Sequence, residues 1–212
     1  MSAEHRPDQL VLVTGTGTEV GKTFVAAALL RTWRKAGLRV AARKPAQSFE
    51  PSERTDADVL AEASGESPIE VCPLHRWYDV PMAPPMAAEV LGRPPFTLAD
   101  LVADLRWPKG LDVGLIEGAG GPRSPLASDG DTVDLAWRLR PDVVLVVADA
   151  GLGTINAARL SVVPFAPLPV VVHLNRYDPA EDLHRRNAAY LVGRCDLRVT
   201  TSVDALARAV IL

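Results

Sequence analysis

The stretch that most limits how this chain can fold runs from Leu10 to Ala36 and reads LVLVTGTGTEVGKTFVAAALLRTWRKA. A short apolar run, Leu10 to Val13, passes into a glycine-rich turn, and the turn opens into a segment of helical character. Gly15, Gly17 and Gly21 permit φ > 0 and let the backbone approach a ligand closely. Several amide N–H groups then converge on one point, backed by the free N–H groups of the new helix, and Lys22 adds a full positive charge. Thr23 supplies a hydroxyl suited to Mg2+. This is a P-loop signature with one departure: five residues separate Gly15 from Gly21, where the usual pattern has four. Strand, turn and helix in that order read as a nucleoside triphosphate site.

A site of this kind needs a sheet behind it. A chain of 212 residues with 48% hydrophobic side chains is long and apolar enough to bury a sizeable core. The formal charge of −3 and the lack of basic clusters argue against nucleic acid as a main partner, since phosphate backbones are gripped by many cationic side chains together. Cys72 and Cys195 stand alone, without metal-ligand or CxxC spacing, and read as reduced thiols. The start MSAEHRPDQ carries no apolar signal region, and the later apolar runs are short or broken by Pro164, Pro167 and Pro169. No membrane span and a cytoplasmic location are therefore expected.

Along the chain, apolar runs alternate with helical patterns. Helices are expected over 23–35, 55–64, 97–107, 133–140, 156–163, 179–192 and from 203, with a proline-rich ordered loop around a short helix over 66–96. Strands are expected near 39–43, 113–116, 143–148, 169–174 and, weakly, 197–200. The run Val143 to Ala148 shows no polar alternation, the mark of a strand buried on both faces. The fold class is α/β: a mostly parallel central sheet flanked by helices on both faces, P-loop NTPase-like, with residues 1–212 as a single domain and 1–9 disordered. Ligands of such sheets sit beyond the carboxyl ends of the strands. Lys22, Lys44 and Glu117 all lie at such ends, so they can meet in space.

Phosphoryl transfer requires charge neutralisation and alignment more than covalent help. Thr23 and Glu117 can hold Mg2+ through oxygen, directly or through water. Gly118, Ala119, Gly120 and Gly121 follow an apolar strand and let backbone amides approach a phosphate or a substrate. Pro45 biases Lys44 towards extended geometry at a strand end, where its charge can serve an acceptor opposite Lys22. Asp56 and Asp58 lie two apart on a helix, so at most one faces the site and the other is expected to be solvated. His173 sits in an apolar strand and reads as a hydrogen-bonded core histidine. Trp33, Trp77, Trp107 and Trp137 are scattered and read as packing residues.

These residues carry a family resemblance. Thr14 to Thr23, TGTGTEVGKT, resembles the opening of dethiobiotin synthetases, extra P-loop residue included. Lys44-Pro45-Ala46-Gln47-Ser48 resembles their Lys-Pro-x-x-Ser/Thr segment, Asp56 their metal-binding aspartate, and Glu117 to Gly121 their Glu-Gly-Ala-Gly-Gly loop. Leu152-Gly153-Thr154-Ile155-Asn156 resembles their substrate-carboxylate turn, and Asn175, followed by Arg176, stands where they have a base-contacting asparagine. The resemblance implies an ATP- and Mg2+-dependent cyclo-ligase that closes a ureido ring on the diamine 7,8-diaminononanoate with CO2. It implies catalytic roles for Lys44 and Lys22, with Ser48 helping to stabilise a carbamate. Mg2+ would be held by Thr23, Asp56 and Glu117. The nucleotide would meet Glu19, Val20, Gly21, Lys22, Thr23, Phe24, Asp56, Glu117, Gly118, Ala119, Gly120, Asn175 and Arg176. Gly153, Thr154 and Asn156 would reach the substrate carboxylate bound by the other subunit of a homodimer.

Two positions depart from the family pattern. Phe49 stands where glycine is usual, and a ring there predicts a narrower carbamate pocket or a different diamine fit. The tail from Arg194 to Leu212 contains no proline, where the family has a proline-containing segment over the base, which predicts a looser base site. Two other readings stand beside the ligase: a divergent relative with another substrate, and a nucleotide switch of the partitioning-ATPase type. The switch would be expected to end its metal strand in aspartate and to carry a second lysine in the P-loop, where this chain has Thr16 to Val20.

Overall fold

The computed structural model describes Arg6 to Ile211. The first strand, β1 (Gln9–Gly15), is buried along its whole length, and α1 (Lys22–Lys35) follows the glycine-rich turn. Then come β2 (Val40–Arg43), β3 (Gln47–Ser48), α2 (Asp56–Ser64), α3 (Pro68–Val71), β4 (Trp77–Tyr78), α4 (Pro84–Val90) and α5 (Leu98–Asp104). The second half holds β5 (Val113–Glu117), β6 (Pro125–Ala127), β7 (Gly130–Asp131), α6 (Thr132–Leu139), β8 (Val143–Asp149) and α7 (Thr154–Val162). It closes with β9 (Val170–Asn175), α8 (Asp182–Gly193), β10 (Val199–Thr200) and α9 (Val203–Ala209). Residues 6–9, expected to be disordered, are packed instead: Arg6 pairs with Asp142 at 2.9 Å, Pro7 is buried and Gln9 begins the first strand. The rest of that expectation, residues 1–5, lies outside the described residues.

Six strands form one parallel sheet in the order β10-β9-β8-β1-β5-β2, and two short pairs, β3-β4 and β6-β7, stand apart from it. The strand order turns at β1, which pairs with β5 on one side (Leu12 beside Ile116) and with β8 on the other (Leu12 beside Val144). Alternate residues of β1 feed two cores. Leu10 and Leu12 pack with Leu98, Leu135 and Leu191 beneath α4 to α8, whereas Val11 and Val13 pack with Leu29, Leu60 and Leu206 beneath α1, α2 and α9. Both faces are thus covered, which is why these strands read as continuous apolar runs.

Local chemistry sets the helix ends. Thr55 caps α2 in a capping box with Asp58, and Gly65 ends it at φ 83°. Asp58 is therefore committed to the cap: its carboxylate takes the Thr55 amide at 3.0 Å and hydroxyl at 2.8 Å. The expectation that it is simply solvated does not hold. Thr97 caps α5 in the same way. That helix stops at Asp104, short of the expected Trp107, because Trp107 precedes Pro108 and a residue before proline is pushed out of the helical region. Segment 66–96 holds more order than a loop around one short helix, with α3, β4 and α4 inside it. His173 is buried, with Nδ1 3.0 Å from Thr200 Oγ1, and burial lowers its pKa to about 4. Among the described residues no helix is long and apolar enough to cross a membrane.

Candidate active site

The carboxyl ends of β1, β5 and β2 lie side by side, so the residues just beyond them meet at one rim of the sheet. A cavity of about 890 Å3 opens there. Glu19, Gly21, Lys22, Thr23 and Phe24 line it from the glycine-rich turn, Lys44 and Ser48 from the segment after β2, and Ala119 and Gly120 from the turn after β5. Asp56 and Arg176 complete the expected lining.

Lys44 is the centre of charge. Its Nζ lies 2.7 Å from Asp56 Oδ2 and 2.7 Å from Glu117 Oε1, and it donates to Gly118 O at 3.1 Å. Burial alone would lower the pKa of this ammonium, but the two carboxylates outweigh it and hold the group charged, above the ordinary lysine range. Asp56 is half-buried, and the desolvation raises its pKa, yet Lys44 and the Thr23 hydroxyl carry it below the ordinary carboxylate value. Glu117 is fully buried, and desolvation pushes its pKa up against the pull of Lys44. Lys22 donates to Gly17 O at 2.8 Å, and burial together with repulsion from Lys44 lowers its pKa.

Thr23 Oγ1 joins the same cluster, 2.8 Å from Asp56 Oδ1 and 3.0 Å from Glu117 Oε1. Glu117 Oε2 is buried with no hydrogen-bond partner. An orphaned carboxylate oxygen beside a hydroxyl and a second carboxylate is a donor set that suits a divalent cation. Among the described residues no three His, Cys, Asp or Glu side chains gather at a metal site. Carboxylate and hydroxyl oxygens are hard donors of the kind that Mg2+ takes, beside waters and phosphate oxygens.

Glycine is required at Gly21. Its φ is +92°, and a Cβ there would lie 2.1 Å from Asn175 Nδ2. Asn175 itself does not line the cavity. It is buried behind the loop and donates to Val20 O at 3.0 Å, so its amide supports the P-loop. Ser48 lines the cavity, but its hydroxyl donates to Met82 O. Phe49 does not block the pocket: its ring stands edge-on to Trp77 at 5.9 Å and forms part of the wall with Pro81, Met82 and Pro84.

Val20, Glu117 and Gly118 do not line the cavity themselves, although Glu117 and Gly118 bond to lining residues, while Gly153, Thr154 and Asn156 are not brought to it at all. Asn156 lines a separate cavity of about 500 Å3 with Arg159, Leu160 and Arg194. The sequence reading missed Gln47, Ser124 and Pro125 on the main wall. Gln47 lies inside the Lys-Pro-x-x-Ser segment and could have been found from it; Ser124 and Pro125 carry no sequence signal of their own.

Residues 9–165 match the family model described as "AAA domain". An ATP-dependent dethiobiotin synthetase of Anaeromyxobacter dehalogenans strain 2CP-1 is 42% identical over 179 residues, 81% of this chain and 78% of the relative. One from Corynebacterium efficiens is 40% identical over 154 residues, 72% of this chain and 68% of the relative.

The chain belongs to the dethiobiotin synthetase family.

Among solved structures, the signal recognition particle receptor FtsY from Elizabethkingia anophelis in complex with GDP is similar with a TM-score of 0.54 at 16% identity, covering 94% of this chain and 57% of FtsY. That likeness shows the fold alone. As a dethiobiotin synthetase by family, the chain keeps the motif residues of its P-loop, its Lys-Pro segment and its Glu-Gly-Ala-Gly-Gly loop around one cavity. Its glutamate at the end of β5, in place of the aspartate of the switch reading, is the residue that Lys44 pairs with.

Proposed function

We propose that this chain is an ATP-dependent dethiobiotin synthetase, a carbon–nitrogen cyclo-ligase of biotin biosynthesis that works as a homodimer with Mg2+ in the cytoplasm, where ATP is made available. The observation that carries the reading is Lys44: a charged ammonium with two carboxylates, on the wall of the cavity that also contains the P-loop lysine.

The reaction joins two anions. One amine of the diamine adds to CO2 and loses a proton, giving a carbamate. A carbamate oxygen attacks the γ-phosphorus of ATP and ADP leaves. The second amine then attacks the carbamoyl carbon, phosphate leaves and the ureido ring closes. Carbamate and triphosphate repel each other, so holding them in line needs positive charge on both sides. Lys22 serves the triphosphate, and Lys44, fixed by Asp56, Glu117 and Gly118 O, serves the carbamate. Thr23, Asp56 and the free Oε2 of Glu117 would hold Mg2+, which supplies further charge neutralisation to the phosphates. The apolar wall of Phe49, Pro81, Met82 and Pro84 suits an aliphatic chain. Ser48 can reach a carbamate only by exchanging its bond to Met82 O.

Support for the carboxylate turn comes from the start of α7. Gly153 precedes it at φ 89° with no side-chain cap, and Thr154 Oγ1 is buried without a partner. Since this turn lies away from the main cavity, a substrate carboxylate meets it only if a second subunit brings its site there, which supports a homodimer.

The test is phosphate release with and without diaminononanoate plus bicarbonate, with mass detection of the ureido product. Diamine should raise release well above the basal rate, and EDTA should abolish that rise. Release indifferent to diamine but stimulated by a protein or DNA partner would favour a nucleotide switch.

A further inference from the structure

Glu19 and Arg176 are two non-glycine residues with φ in the left-handed region, 59° and 56°. Side chains resist that conformation, so it persists only where neighbouring contacts impose it. Here the two residues face each other: Arg176 Nη2 donates to Glu19 O at 2.9 Å. The other arm of the same guanidinium, Nη1, lies 3.0 Å from Asp149 Oδ2 at the end of β8. The second oxygen, Oδ1, accepts the Gly151 amide at 2.8 Å. One aspartate therefore touches both the support of the P-loop and the turn that opens α7.

The direction of these bonds matters because C=O and N–H of a trans peptide point to opposite sides. With Glu19 O gripped by Arg176 and Val20 O gripped by Asn175, the Val20 and Gly21 amides are turned the other way. The peptide between Ala150 and Gly151 is held at both ends, its carbonyl by Asn187 Nδ2 at 2.9 Å and its amide by Asp149. Asp149 does not line the main cavity, so it acts only through what it holds.

We propose that Asp149 is a positioning residue for two ligands at once: through Arg176 it fixes the P-loop amides that meet the triphosphate, and through Gly151 it fixes the turn that meets the substrate carboxylate. The second half rests on the function proposed above, whereas the first rests on the P-loop alone.

The Arg176 arm can be cut without the Gly151 arm. Asp149→Asn keeps an oxygen for Gly151 but puts an amide against the guanidinium. It should weaken ATP binding, measured by direct titration of the protein, by roughly tenfold, as expected for loss of a charge-assisted bond. The KM for diamine should stay within about twofold, since the Gly151 arm survives. Asp149→Ala should raise both the ATP Kd and the diamine KM. The melting temperature should hardly move in either variant, because an exposed ion pair contributes little to stability. An ATP Kd that is unchanged or tighter in Asp149→Asn overturns the proposal, since it would mean that a freed Arg176 serves the nucleotide at least as well. A fall in melting temperature that accounts for the loss of affinity overturns it as well. If wild-type protein makes no ureido product, the function reading fails, and the ATP titration still decides the P-loop half.

Discussion

Lys44 Nζ lies 2.7 Å from Glu117 Oε1, although 73 positions separate the two residues in the chain. The sheet register brings them together. Arg43 is paired with Ile116 at the last rung between β2 and β5, so Lys44 and Glu117 are the next residues out on adjacent strands. Lys22 opens α1, just beyond the turn after β1, the other neighbour of β5, and lines the same cavity as Lys44. Three chain segments thus deliver their charges to one rim.

Removing the ammonium exposes what it compensates. Lys44→Ala leaves Glu117 fully buried without its counter-ion, and breaking a buried pair on one side typically costs about 3–5 kcal/mol. Urea unfolding should show that loss at pH 7. Adding Glu117→Gln should recover part of it, since the neutral amide removes the stranded charge. Ring closure should be lost in both variants, and nucleotide should still bind to the single Lys44→Ala variant under conditions where it remains folded.

Gly21→Ala tests the steric demand of the loop. The φ of +92° disfavours any side chain, and the new methyl would meet Asn175 Nδ2. ATP affinity should fall by roughly tenfold or more, with a stability loss of about 1–3 kcal/mol. Asn175→Ala in the same background should not restore affinity in titration calorimetry, because it relieves the clash but also removes the bond that holds Val20 O, and the φ penalty remains.

His173 makes stability depend on pH. Its folded pKa of about 4 lies below the unfolded value of 6.5, so the unfolded chain binds the proton more readily. The contribution is present above pH 6.5 and is lost progressively as pH falls towards about 4, amounting to roughly 3 kcal/mol over that window. Denaturant midpoints measured from pH 7 to pH 4 should fall accordingly. In His173→Gln the profile should be flatter across that range, and an unchanged slope would remove His173 as its cause.

Phe49 should matter to the diamine and not to the nucleotide. Its ring walls the cavity and packs edge-on against Trp77, beside Pro81, Met82 and Pro84. Phe49→Gly should raise the diamine KM several-fold and relax discrimination between diamines of different chain length, as loss of a ring from an apolar wall does. The ATP Kd should stay the same. Steady-state kinetics with a homologous series of diamines measures both effects.

The alternating strand and helix patterns made the fold class legible, since period and capping are written locally: Thr55, Thr97 and Gly65 act within a few residues of themselves. The P-loop was legible because its glycines, Lys22 and Thr23 must be contiguous to wrap one phosphate group. Other assignments could not be read locally. Residues 6–9, expected to be disordered, show why: their anchor, Asp142, is distant in the chain, whereas the Thr55–Asp58 box spans three residues and was open to a local reading. Ser48, Asn175 and Asp149 show the same limit, since each is defined by a partner that only folding supplies: Met82 O, Val20 O and Arg176.

The order of residues by itself determined which groups this protein has to work with: a triphosphate loop, a lysine after one strand, a glutamate after another. Tertiary structure decided which of them share a site, because strand order in a parallel sheet depends on packing of whole faces and not on neighbours in the chain. It also decided their charge, since the state of Lys44 follows from burial and from two carboxylates brought within 2.7 Å of it.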